Sequence, residues 1–365
     1  MKKSKKIILC SSIFALLMTA AFGLTTGCGS KNEISPSDLT ESAAPAPIEV
    51  VRVHPWENTK RNREITGSFR HQLVDDEVDI YDAMVQHYLV EKRYDELPLN
   101  LKMGYASTYH ADDVFDIAWS AFLYDHPEVF WVTTPLYQKY DHTWTDDYIT
   151  VSNATISPKE TYPGAFNDIE TVFNGIDKAV EEISANRKSE SRYDTVKEIC
   201  NYICMNAKYD YEAYDDTNPV TEDMLASFTV APVFGGGSRG KKVVCVGYSH
   251  AMTVLCTRFD IPCVSRDNMR HTWNNVQMED GKWYAVDITW LDDDLGDGYT
   301  LPSSYPYFLV GKNTDCLHNG NTFEDTHTSF KGFGVVSPDK DPEEEEYGYP
   351  LMLPVLADDQ YTPAQ

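Results

Sequence analysis

Positive charge is scarce in this chain. Lys and Arg number 31 against 57 Asp and Glu in 365 residues, a net charge of −26. A nucleic-acid backbone would be repelled over most of such a surface, which excludes a nucleic-acid role. Paired metal-type cysteines are also missing. The 8 cysteines include no Cys-x-x-Cys, the usual half of a structural zinc site, and no internal repeat is visible. Gly235 to Lys241 spells G-x-x-x-x-G-K, but Lys242 stands where a Ser or Thr would hold magnesium, so phosphate binding is not expected. Asp292, Asp293, Asp294 and Asp297 lack the spaced ligands and terminal Glu of a calcium loop and read as a solvated acidic turn. No metal and no cofactor is expected. What is present, 42% hydrophobic and 24% charged residues, is enough for a real core and rules out wholesale disorder.

Residues 1–27 read as a secretory signal: four lysines within Met1 to Lys6, then a short apolar run from Ile7 to Phe22. The run leads into Leu24-Thr25-Thr26-Gly27-Cys28, which resembles a bacterial lipoprotein signal with Thr25 where Leu is usual. That resemblance implies lipidation of Cys28 and a protein held at the cell membrane on its extracytoplasmic face. Loss of residues 1–27 removes four lysines and no acid, deepening the net charge from −26 to −30. Residues 28–50, rich in Ser, Pro, Ala and Glu, read as a flexible tether.

Helical spacing predicts a helix through Val114, Ile117, Ala118, Ala121 and Phe122, capped by Asp112 and stopped before Pro127. Phe130-Trp131-Val132 reads as a strand. Further helices are marked by Ile169 to Ile183 and by Val196 to Ala207, with Cys200 and Cys204 on the apolar stripe. From Val264 the pattern alternates, with a hairpin at His271 to Trp290 and a last strand at Tyr307 to Val310. Helices first and strands later suggest an α+β fold. The division is residues 51–160, a helical and strand region; 161–335, a domain carrying the chemistry; and 336–365, an acidic, Pro-rich tail with Glu343 to Glu346 in a row, expected to be loosely packed.

Three segments offer a thiol, an imidazole and a carboxylate in order: Val-Cys-Val-Gly-Tyr-Ser around Cys245, His-Thr-Trp-Asn-Asn-Val from His271, and Val-Asp-Ile-Thr-Trp around Asp287. A cysteine nucleophile needs a base, and the base needs an acceptor to orient it. Parity tests the placement. A three-residue loop at Glu279-Asp280-Gly281, with Gly281 left-handed, pairs Met278 with Lys282. Asp287 then lies opposite Trp273 and His271 opposite Thr289, so His271 and Asp287 are diagonal neighbours on one face. Val276, Met278, Tyr284, Val286, Ile288 and Trp290 take the other, core-facing side. Downstream of Cys245, Ala251, Val254, Leu255 and Phe259 follow helical spacing. Cys245 therefore sits at a helix N-terminus, where free backbone N–H groups favour a thiolate and its own N–H can serve an oxyanion hole.

These segments resemble the transglutaminase-like superfamily, a papain-like group with Cys, His and Asp in this order. The resemblance is clear over Lys241 to Trp290 and weaker at Lys208-Tyr209-Asp210-Tyr211 and Asp125-His126-Pro127-Glu128-Val129-Phe130-Trp131. It implies Cys245 as nucleophile, His271 as general base and acid, and Asp287 as orienting carboxylate, with Tyr248, Trp273 and Trp290 as substrate-cleft candidates. Two departures stand out: Thr272 for the usual Ala, and Phe228, in Ala226-Ser227-Phe228, where relatives carry a Tyr. The second leaves the second oxyanion donor open. The implied reaction is acyl transfer through a thioester from a peptide or protein amide, with the cell envelope as a source of substrate. Water as acceptor makes a peptidase or amidase, a lysine-like amine makes a transglutaminase, and a binding module retaining the triad is the alternative. Cys256 and Cys263 read as core residues. A disulfide among Cys200, Cys204, Cys256, Cys263 and Cys316 stays open.

Overall fold

The computed structural model describes residues 61–363, except 63, 106–107, 133–136, 146, 148, 216–218, 269, 293–298, 330–331 and 334–350. The signal, the tether with Cys28, Asp293, Asp294, Asp297 and Glu343 to Glu346 lie outside the described residues.

The N-terminal part packs α1 (Asp76–Met84) and α2 (Thr108–Asp125) with an antiparallel sheet of β1 (Leu97–Tyr105), β2 (Tyr137–Trp144) and β3 (Ile149–Ser157), in the order β1-β3-β2. α2 begins four residues before Asp112, so Asp112 is not its cap; its carboxylate instead accepts the Tyr140 hydroxyl at 2.8 Å. Helices do not simply precede strands, as this sheet shows. β3 hides its alternation because Asn153 takes φ 50° at an irregularity: Ile149 and Val151 are buried before it, Ala154 and Ile156 after it, one residue out of phase. Phe130 to Val132 is buried but is a turn rather than a strand, with a single bridge from Val132 to Glu160. Asp125, in the Asp-His-Pro segment, ties this part together by accepting Ser68 Oγ at 2.7 Å, Phe69 N–H at 2.9 Å and Tyr81 Oη at 2.8 Å.

The helices marked by apolar spacing are α3 (Ala165–Asn186) and α4 (Arg192–Asn206), the latter capped by Ser191 accepting from the Asp194 N–H. Both bury the expected stripe, Cys200 and Cys204 included. α5 (Cys245–Arg258) packs against them and onto a second antiparallel sheet, β4 (Cys263–Asp267), β5 (Thr272–Gln277) and β6 (Trp283–Val286), with β5 central. Helices and antiparallel sheets in one chain make this an α+β fold.

The hairpin has the expected register. Met278 N–H bonds Lys282 O at 3.0 Å, Gly281 has φ 77°, and Asn274 pairs with Val286. The strand stops at Val286, however: Asp287 caps a short helix, Ile288–Leu291, by accepting the Trp290 N–H. The predicted pairing of His271 with Thr289 is therefore not made, and Trp290 is 37% exposed rather than core-facing.

The tail is corrected over 351–363. Leu351–Met352 pairs with Gly332–Phe333, Ala357 N–H bonds Trp283 O at 2.8 Å, and Leu351 and Leu353 are buried. An edge strand needs few apolar residues when the β6 edge supplies backbone partners, which is why composition alone misjudged it. Tyr307 to Val310 also runs along β6, but Leu309 has φ 50° and only Ala285 and Val310 form a bridge. Among the described residues the six cysteines are free thiols.

Candidate active site

Two segments aim Cys245. Lys208–Tyr209 pairs in parallel with Lys242–Val243, and Asp210 N–H bonds Val243 O at 2.9 Å. Val244, the residue before the helix, donates to Ser227 O at 2.9 Å. Asp210 holds the first segment by accepting Ser227 Oγ at 2.7 Å and capping Tyr211–Tyr214. The Lys-Tyr-Asp-Tyr and Ala-Ser-Phe strings are thus braces of the turn that leads into Cys245. Gly247 belongs to the same turn: a Cβ there would lie 2.7 Å from Val243 Cβ and 2.8 Å from Thr229 O. Cys245 is the first residue of α5, where helix geometry leaves the leading N–H groups without intrahelical acceptors.

A buried polar network sets α5 against the sheet. Ser249, one turn past Cys245, meets Ser265 Oγ at 2.7 Å and Trp273 O at 3.0 Å; Asn274, three residues past His271, donates to Ser249 O and Thr253 Oγ1, both at 3.0 Å. Every group lies away from water, so each bond lost strands a partner. Asn274→Leu is expected to destabilise the protein by about 1–3 kcal/mol and to slow reactions of Cys245. Thermal unfolding and thiol alkylation of the variant check both, and an unchanged melting temperature would contradict the network's role.

At the site His271 stands between the other two groups. Its Nε2 lies 2.7 Å from Asp287 Oδ2, and the Cys245 thiol is near enough to favour the charged imidazole. With Nε2 committed to Asp287, Nδ1 is left for the thiol. Burial opposes a charged imidazole, yet the Asp287 charge and hydrogen bond, with Cys245, carry the His271 pKa up to about 10. Burial likewise opposes the Asp287 carboxylate, but His271 and then His327 hold it far below the usual carboxylate range. Asp287 also accepts the Trp290 N–H on Oδ1 at 3.2 Å and donates its own N–H to Tyr307 O at 3.0 Å. Both carboxylate oxygens are occupied.

The three residues predicted from spacing therefore converge. The cleft candidates do not behave alike. Trp290 is part-exposed and stacks on the His271 ring at 5.1 Å and 21°. Tyr248 and Trp273 are buried and do not line an opening: Tyr248 donates to Asp292 Oδ2 at 2.9 Å, and Trp273 lies against Phe323 and His327. Tyr248 follows Cys245 by three positions on α5, and Trp273, two residues past His271, is covered by Phe323 and His327. Cys245 itself is only 6% exposed.

Sequence reasoning missed His327. Its Nε2 lies 3.1 Å from the same Asp287 Oδ2. Lying 40 residues beyond the aspartate and outside any strand of the hairpin, it carried no spacing signal. The ligand-type atoms of His271, Asp287 and His327 lie within 4.8 Å of one another. The two short separations are hydrogen-bond distances; at 2.7 Å the first is closer than the roughly 3.3 Å between ligands on a tetrahedral ion. The arrangement is one of proton donors on a carboxylate.

Residues 177–288 match the family model of the transglutaminase-like superfamily. The chain carries a transglutaminase-like domain. Cys245, His271 and Asp287 all fall within the matched residues. Solved structures to which the chain is similar include a TGase (18% identity, 41% of this chain and 44% of that one, TM-score 0.29). A Cytophaga hutchinsonii protein given as a candidate cysteine protease matches at 17% identity (42% and 62%, TM-score 0.21). The periplasmic domain of TgpA from Pseudomonas aeruginosa, bound to ethylmercury, matches at 13% identity (43% and 66%, TM-score 0.21). The matched region spans between about half and two-thirds of those chains. No curated protein matches the chain in sequence.

Proposed function

We propose that the transglutaminase-like domain is a thiol-dependent acyl-transfer enzyme that hydrolyses a peptide or protein amide. The observation that carries this is His271 held at 2.7 Å on the buried Asp287, with the Cys245 thiol beside it at the first residue of α5. Cys245 gives its proton to His271, its Sγ attacks the amide carbonyl as the C=O π bond opens, and the oxyanion develops beside the Cys245 N–H. The C–N bond breaks as His271 passes a proton to the leaving nitrogen, which leaves a thioester on Cys245. Water then attacks, giving a proton to His271; the S–C bond breaks and the thiol is regenerated. Asp287 keeps the imidazole oriented and supports its charge.

Hydrolysis is favoured over cross-linking because water is abundant and the sequence motifs identify no amine-acceptor subsite. Lipidation at Cys28 would hold the enzyme on the outer face of the cell membrane, with envelope peptides within reach. Incubation with a peptide library, read by mass spectrometry, tests the reaction. Products gaining the mass of water support hydrolysis; condensed products that have lost ammonia would replace it by transamidation; no product with any peptide or amine acceptor would favour a binding module. The mass of the mature N-terminus tests the anchor.

A further inference from the structure

The transglutaminase-like domain has a second histidine on its candidate orienting carboxylate. His327 and Asp287 are both fully enclosed, and His327 is held from every side. A reciprocal capping pair, Thr322 with Asp325, fixes the short helix Phe323–Thr326, and the His327 N–H closes on Phe323 O at 2.9 Å. The Phe323 ring stacks on the imidazole at 3.9 Å and 11°, with Trp273 edge-on at 4.9 Å and Trp290 at 4.6 Å. Thr326 Oγ1 meets Nδ1 at 2.8 Å. Burial holds the His327 pKa below the ordinary histidine range against the pull of Asp287, which favours the neutral imidazole. The ionised Asp287 carboxylate can only accept, so the proton in the 3.1 Å contact lies on Nε2, which donates to Asp287.

A pocket walled by Phe323, Trp273 and Trp290 would be filled by an apolar ring without the desolvation that an imidazole brings. The imidazole is therefore there for its N–H. We propose that His327 is a positioning residue of the site, a neutral Nε2–H donor that pins Asp287 Oδ2 and shares its negative charge, so that Asp287 holds the His271 proton less tightly than a singly bonded carboxylate would. This rests on the reading of Cys245, His271 and Asp287 given above. The other titratable groups facing Asp287 are Tyr307 and Cys316, both kept protonated by burial, the Cys316 pKa being pushed up to about 11. They leave His271 and His327 as the groups that set its charge.

The test follows the His271 ring by NMR in protein carrying 13C-labelled histidine, with the signal identified by its loss in His271→Gln. Wild type is expected to titrate near pH 10. His327→Phe and His327→Asn, whose amide is too short to reach Oδ2, are expected to move that midpoint upward by about half a unit or more. His327→Gln, which places an amide N–H near the position of Nε2, should return it toward wild type. Either donor-free variant suffices if the other does not fold. A folded donor-free variant with the wild-type midpoint, or a lower one, overturns the inference and makes His327 packing. A wild-type midpoint near 6.5 would instead remove the ion pair on which the proposed function stands.

Discussion

Asp287→Ala is expected to lose both stability and turnover. The carboxylate is fully buried and serves His271, His327 and the Trp290 N–H together. Removing it strands a buried imidazolium, a change that typically costs about 3–5 kcal/mol. It also frees the candidate base to rotate, and loss of the orienting acid in such triads lowers turnover by about 10⁴-fold. Asp287→Asn keeps the volume and should lose turnover with a smaller drop in stability. The pH dependence has a defined sign. His271 has its pKa raised from 6.5 to about 10, so its contribution to stability is complete below about pH 6.5 and is lost as pH rises through 10. Asp287 is depressed, so its contribution is complete above about pH 4 and is lost as pH falls. The difference in stability between wild type and Asp287→Ala should be greatest between about pH 4 and 6.5. Thermal unfolding at pH 5.5, 8 and 10 checks it; a difference that widens toward pH 10 would contradict the pair as described.

Cys245→Ala separates chemistry from folding. The thiol is a small side chain, 6% exposed, on the first residue of α5. Its loss should change stability by about 1 kcal/mol or less. Turnover, by contrast, should fall to background, because no thioester can form. A variant that unfolds readily, or one that still cleaves, would show the residue to be structural.

The geometry of the candidate site was legible because it rests on local rules. A left-handed Gly281 sets a three-residue loop, the loop sets parity, and parity puts His271 and Asp287 on one face. The apolar residues after Cys245 show the helix that begins there. Three things were hidden for physical reasons. The bulge at Asn153 shifts the inward phase of β3 by one residue, so alternation is broken midway. Residues 351–363 bind through backbone bonds to β6 and its flanking chain, a partner that composition cannot reveal. His327 reaches Asp287 through tertiary packing alone, and Trp273 and Tyr248 are buried by segments distant in sequence.

The central claim is that Cys245 reacts because of its neighbours and not because of its exposure. Cys316 offers the contrast within the same chain: it is half-buried, more open than Cys245, and burial and nearby carboxylates raise its pKa to about 11. Brief treatment of the folded protein with a limiting thiol-directed probe at neutral pH, followed by peptide mapping of every cysteine, decides between the two. The account predicts labelling at Cys245 first, abolished in Cys245→Ala and strongly slowed in His271→Gln. Labelling that favours Cys316, or that is equal in wild type and Cys245→Ala, would contradict it.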